Sequence, residues 1–201
     1  MRKLSFSFKI VSLALLCSLC IFCQNPKPND PNDFSPKSYE TKNMSFKCPF
    51  PIVMGTTYGN GISHFDKTLI LFEIKQLLLD LCEGHFIHLV SFIDKETGLF
   101  VDAKGYWTLD EVKVDLKDPE GYFALYYFDK AKLDQKKGSI GNLTIREVFT
   151  QAGPVFIDFY IGSKEEVELK FRFPDQPKLE RYLINPSFIK LKNSWYLHRM
   201  F

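Results

Sequence analysis

From residue 155 onward, apolar and polar positions alternate with a period of two. Val155, Ile157, Phe159 and Ile161 interleave with Phe156, Asp158 and Tyr160. Val167, Leu169, Phe171 and Phe173 interleave with Glu168, Lys170 and Arg172. Such alternation is the pattern of half-buried strands, and Ser163-Lys164-Glu165 supplies the turn between these two. Two more strands are expected near 180–191 and 195–201, joined at Asn193-Ser194. The Glu-Lys-Arg side of the second strand belongs in water, so helices must cover the other side of the sheet.

Upstream the period lengthens. In 66–82, Ile70, Ile74, Leu77, Leu78 and Leu81 fall on one helical face. Asp66 can cap the start of this helix and Gly84 its end. A second short helix is expected at 85–93, closed by the turn 94–98. Leu99 to Asp102 reads as a strand broken at Gly105. Thr108 and Glu111 form one capping box and Thr144 and Glu147 another. In each, the hydroxyl accepts from a free amide while the carboxylate reaches back. Asp118-Pro119 stops the first of these helices and Gly153-Pro154 the second. The stretch 122–128, YFALYYF, suits helix or strand by pattern, and the KAKLD that follows favours helix. Residues 48–63 read as loop, punctuated by Gly55, Gly59 and Gly61. They lack the Gly-Lys-Ser/Thr ending of a phosphate-binding loop.

The order is helices, a short strand, helices, then a meander. That makes an α+β domain, with N-terminal helices packed on a curved antiparallel sheet of about four C-terminal strands. By element order it resembles the NTF2-like cone fold, in which helices lie in the hollow of a curved sheet. A cystatin-like layout is the alternative.

The N-terminus has a different logic. Arg2, Lys3 and Lys9 precede an uncharged run at 10–22, IVSLALLCSLCIF. A bilayer-spanning helix needs ~20 apolar residues, so this run reads as an export signal. It ends at Cys23, followed at once by QNPKPND. A Cys at the hydrophobic-to-polar boundary resembles the lipobox of bacterial lipoproteins. The resemblance implies cleavage before Cys23 and acylation of its thiol. Phe22 stands where most lipoboxes have a small residue. Cys17 and Cys20 match less well because apolar residues follow them. Residues 23–47 then carry Pro26, Pro28, Pro31 and Pro36 among Asn and Asp, a composition that cannot bury enough surface to order itself. The organisation is therefore signal 1–22, lipidated Cys and tether 23–47, and one domain 48–201. The loose lipobox, the Pro/Asn tether and the run GLFVDAKGYWT (98–108) together resemble small lipoproteins of Leptospira-type spirochaetes, a family that brings no activity to transfer. The implied place is the cell envelope, membrane-anchored, on the outer membrane or periplasmic face.

Composition narrows the function. The 201 residues are 45% hydrophobic and 25% charged, which is ordinary for a globular chain. Net charge is +2, too balanced for a nucleic-acid binder. Losing Arg2, Lys3 and Lys9 with the signal turns even that bias slightly acidic. Twenty Phe and nine Tyr must be housed, either as core filling or around a ligand cavity. Cys48 and Cys82 are the domain's two cysteines. In an oxidising compartment they can bridge, or they can remain buried thiols. A bridge requires the chain before the first helix to run back along ~25 Å of it. The histidines His64, His85, His88 and His198 show no metal-ligand signature, and no cofactor is expected. Asp158, which interrupts an aromatic strand, is the first acid–base candidate, with Asp102 and Tyr106 behind it. Alternation places Asp158 opposite Ile157 and Phe159, on the solvent side. The expected role is therefore non-enzymatic: binding a small apolar ligand or an envelope protein, or a structural role. The alternative is an isomerase- or hydrolase-type enzyme with a carboxylate in a cone pocket.

Overall fold

The computed structural model describes residues 48–102 and 104–201. The signal, Cys23 and the tether lie outside the described residues. Seven strands form one open sheet: β1 (Ile52–Tyr58), β2 (Leu99–Val101), β3 (Gly105–Trp107), β4 (Val155–Ile161), β5 (Glu166–Arg172), β6 (Ser187–Leu191) and β7 (Ser194–Arg199). Four α-helices accompany them: α1 (His64–Glu83), α2 (Leu109–Asp115), α3 (Lys130–Lys137) and α4 (Ile145–Ala152). The α+β class stands. The strand order is β1-β4-β5-β6-β7-β2-β3. Its centre, β4 to β7, is the antiparallel meander that the alternation indicates. A four-strand sheet is nevertheless too small. β1 joins β4 in parallel, and the β2–β3 hairpin joins β7 through a parallel β2.

Other expectations change with it. Residues 52–58 are a strand and not a loop; a register shift between Met54 and Thr57 bends it. Within 85–93 only Leu89–Phe92 turns, as a 3-10 helix. Pro177–Tyr182 is also a 3-10 helix, so the sixth strand starts at Ser187. The β6–β7 turn is centred on Lys192 and Asn193, whose φ angles of 49° and 68° match the twist of a two-residue hairpin. Residues 122–128 are helical, ending in a π-helical turn over Ala124–Phe128.

Local chemistry explains the helix ends. Ser63, not Asp66, is the N-cap of α1: its Oγ accepts from the Asp66 amide at 3.0 Å, while Asp66 Oδ2 accepts from the Ser63 amide at 3.1 Å. Both expected capping boxes, at Thr108 and Thr144, are formed. Gly84 ends α1 in the left-handed region at φ 92°. The Asp66 carboxylate also accepts from the Trp195 indole at 2.8 Å and Lys190 Nζ at 2.9 Å, tying the start of α1 to the β6–β7 hairpin. The Trp195 bond is the main cause that holds Asp66 well below the usual carboxylate range. Burial opposes it, and Lys190 and Ser63 add to it.

One hydrophobic core lies between the helices and the sheet. Ile70, Ile74, Leu77, Leu78 and Leu81 of α1 meet Val155, Ile157, Phe159, Val167 and Leu169 there. Phe149 of α4 packs edge-on to Phe171, Phe173 and Phe201, with ring centroids 5.0, 5.5 and 5.6 Å away. Phe86, Phe123 and Tyr127 extend this aromatic interior.

Cys48 and Cys82 form a disulfide, with Cα atoms 5.8 Å apart. β1 supplies the return path that this connection requires. Seven extended residues cover ~23 Å, and with residues 49–51 the path matches the ~30 Å of the 20-residue α1, so Cys48 arrives beside the helix's last turn.

Candidate functional site

Among the described residues, no α-helix covers the side of the sheet away from α1 and α4. Alternation turns Tyr160 of β4 and Glu166, Glu168, Lys170 and Arg172 of β5 outward, and all of them remain half-buried or exposed. Tyr160 lies across from Glu168 and Asp158 across from Lys170. On the β1 side, the Tyr58 ring stacks on Tyr160 at 4.7 Å. On the other side, Tyr106 of β3 contacts Phe100 of β2 and gives a 3.1 Å hydrogen bond with His198 Nε2.

Two hollows open on this face, each of about 440 Å³. Tyr58, Tyr160, Glu166 and Glu168 line the first. Phe100, Asp102, Glu168, Asn185 and Arg199 line the second. Glu168 is the wall between them and is firmly held. Its carboxylate accepts from Asn185 Nδ2 and from Arg199 Nη2, both at 2.5 Å, and Arg199 Nε donates to the Asn185 carbonyl. Glu166 has no ion-pair partner among the described residues. Burial holds the His198 imidazole below its ordinary value; nearby Glu166 opposes this and Arg199 reinforces it. Fixed aromatic faces, a fixed carboxylate and a free one make a surface suited to recognition.

The sequence-derived candidates fall in different places. Tyr106 is 62% exposed on the outward side, and Asp102 rims the second hollow, so the two share this face. Asp158 also projects to this side but is not in solvent, being only 7% exposed. Its Oδ1 accepts from the Thr56 amide at 2.7 Å and its Oδ2 faces Arg172 Nε at 3.3 Å. Arg172 in turn reaches Glu180 at 3.1 Å, and that bond is the main cause of its raised pKa. Asp158 is therefore a clamp on the bend in β1. Its carboxylate is engaged on both oxygens by these partners. His85 and His88 do not share a helix: His88 Nδ1 bonds the buried Asp80 at 2.7 Å. Among the described residues, no group of three His, Cys, Asp or Glu side chains is placed to hold a metal ion.

The aromatic run 122–128 faces inward. Phe123 and Tyr127 are buried, and the Tyr127 hydroxyl donates to the Phe201 main-chain oxygen. On α3, Lys132 is taken up by Glu120 at 2.7 Å and Lys137 lies over the Tyr126 ring. Asn142 bonds Asp134 and the Ser139 carbonyl.

A second surface escaped the sequence reading. Phe65, Leu69, Phe72 and Leu79 of α1 are 69%, 39%, 58% and 37% exposed. At 100° per residue they lie opposite the five core residues of the same helix. The signal was available: α1 has more apolar positions than one buried face can use. Tyr58 was missed because β1 was read as loop, and the Glu168–Arg199–Asn185 cluster because it joins residues far apart in the chain. No protein-family model, curated protein or solved structure matches this chain.

Proposed function

We propose that this chain is a lipid-anchored protein of the bacterial cell envelope, held through acylated Cys23, whose 48–201 domain is a non-enzymatic binding module. The anchor rests on the sequence: the positive start, the short apolar run, the boundary Cys and the Pro/Asn tether. The binding role rests chiefly on one observation. The outward sheet face bears organised, solvent-open hollows, while the aromatic residues that might have lined an internal ligand pocket are spent on the core. That favours a protein partner over a small apolar ligand. The likeness to the NTF2-like cone rested on element order alone, and the space between helices and sheet is taken up by Phe123, Tyr127, Phe149 and Phe171. An enzyme in that space would need an inward carboxylate, and Asp158 faces the other way.

The test is metabolic labelling with palmitate in a bacterial host. The wild-type chain takes up label and partitions into detergent, and Cys23→Ala loses both. Undiminished labelling of the variant would move the lipid elsewhere, and an unlabelled wild type would end the anchor reading. For binding, a photo-reactive residue at Tyr160 should cross-link a discrete partner that the same residue at Ile140, 94% exposed and remote in the fold, does not.

A further inference from the structure

The outer face of α1 is the least expected surface of the domain. Phe65, Phe72 and Leu79 repeat at intervals of seven, with Leu69 beside them, and the stripe crosses four turns of the helix. Rising 1.5 Å per residue, it is ~21 Å long. Little charge interrupts it. Thr68 and Gln76 are the polar residues between its members, and the Thr68 hydroxyl is already satisfied by the His64 carbonyl at 3.0 Å. Glu73 and Lys75 stand at its two margins and Glu83 at the end. Ile87, just past the helix, adds another side chain 60% exposed. Soluble surfaces rarely keep such a continuous apolar patch without a purpose.

The chain itself says what lies close. Cys48 is bonded to Cys82, one residue short of the helix end and three beyond Leu79. Everything N-terminal to the domain therefore departs from the foot of α1. Between Cys23 and Cys48 there are 24 residues, whose fully extended reach is at most ~85 Å. A lipid at Cys23 keeps the foot of α1 within that reach of a bilayer, where even weak surface affinity is amplified by proximity. Among the described residues, no helix is long and apolar enough to cross a membrane, so α1 would lie on the surface.

We infer that the Phe65–Leu69–Phe72–Leu79 face of α1 seats the domain on the lipid surface to which the chain is anchored. This rests on the anchor reading above. An interfacial helix buries its apolar face about 5–10 Å into the headgroup and acyl boundary. Seating α1 in this way turns the opposite side of the domain, the open sheet face, away from the membrane and toward partners.

The experiment uses the full lipidated chain in vesicles of phosphatidylethanolamine and phosphatidylglycerol containing brominated lipid. Phe72→Trp is compared with Tyr106→Trp and with the parent, which carries Trp107 and Trp195. Both replaced residues are largely exposed, and far-UV circular dichroism and an intact disulfide check the fold. The Phe72→Trp emission should be quenched at least about twofold beyond the parent, and Tyr106→Trp no more than the parent. Adding Leu69→Asp should abolish the extra quenching. Equal quenching of the two probes, none at Phe72, or quenching that survives Leu69→Asp would overturn the inference. A Phe72→Trp probe already shielded from acrylamide without vesicles also overturns it: in a dimer by light scattering, the face belongs to a second copy; in a monomer, to residues 24–47. Palmitate content of the same samples reports the anchor separately. If the chain is unlabelled, the same variants are held on nickel-chelating lipid by a histidine tag replacing residues 1–23. There, an unquenched Phe72→Trp would overturn the surface contact, and a quenched one would uphold it.

Discussion

Glu73 illustrates what burial does to a carboxylate that has no partner. Its Oε2 is shut off from water with no hydrogen bond among the described residues, and desolvation alone pushes its pKa up to about 7. A carboxyl that is harder to ionise in the folded state than in the unfolded one favours folding while protonated. The folded state therefore loses stability as pH rises from about 4.5 through about 7. Glu73→Gln removes that charge. After discounting for the part of the side chain that reaches water, the gain at pH 8 should be ~1–2 kcal/mol, shrinking toward zero at pH 4. Urea midpoints at the two pH values measure it, and a gain of equal size at both would refute the cause. Gly55 makes the opposite kind of demand. A Cβ there would stand 2.2 Å from Asp158 Oδ1 and 3.1 Å from the Ile157 carbonyl, inside the bend of β1. Gly55→Ala should destabilise by ~2 kcal/mol or more through the displaced carboxylate, read as a lower denaturation midpoint. This is also where residue-level reading of the sequence stops. Alternation correctly turned Asp158 away from the core, but its neighbours Thr56 and Arg172 come from two other strands, and no local pattern announces them.

Elements were legible to the extent that their stabilisation is local. The two capping boxes involve residues three apart, and both helices begin where those residues place them. Thr144→Ala should cost about 1 kcal/mol of stability, because it removes the hydroxyl that accepts from the Glu147 amide; a midpoint unchanged in denaturant would contradict the cap. β1 was illegible for the converse reason. Its sequence, IVMGTTY, contains a glycine and an irregular register, and it becomes a strand by pairing with β4 a hundred residues downstream. The disulfide reinforces that long-range arrangement by joining Cys48 to the end of α1 across a separation of 34 residues. In the chain-entropy model a loop of this size contributes ~3–4 kcal/mol. Cys48→Ala/Cys82→Ala should therefore lower stability by that amount, with the amides of β1 losing hydrogen-exchange protection ahead of those of β5. Simultaneous loss of protection in both strands would mean that the link stabilises the domain uniformly and not its edge.

For the whole molecule, the meander and its solvated face were readable from period-two alternation. The full width of the sheet was not, because β1, β2 and β3 attach to that meander from distant parts of the chain, two of them only three residues long. The aromatic excess was the open compositional question, and packing answers it. Phe86, Phe123, Tyr127, Phe149, Phe171 and Phe201 form a chain of edge-on and tilted contacts with centroids 5.0–6.1 Å apart, linking the helical layer to the sheet. Tyr127 is the junction of that chain. It is 2% exposed, burial holds its hydroxyl well above the ordinary ionisation range, and the hydroxyl is bonded to Phe201. A ring in that position either fills the interior or waits to be displaced by a ligand, and the two roles respond oppositely to truncation. If it fills, Tyr127→Ala opens a cavity and costs ~3–5 kcal/mol; wild type leaves a fluorescent fatty acid in water, while the variant takes one up and recovers part of its stability on binding. If it guards a ligand space, wild type binds the probe at one per chain and the variant gains little. Titrating both proteins with the probe, alongside urea unfolding with and without it, separates the cases. The close packing around Tyr127 predicts the first.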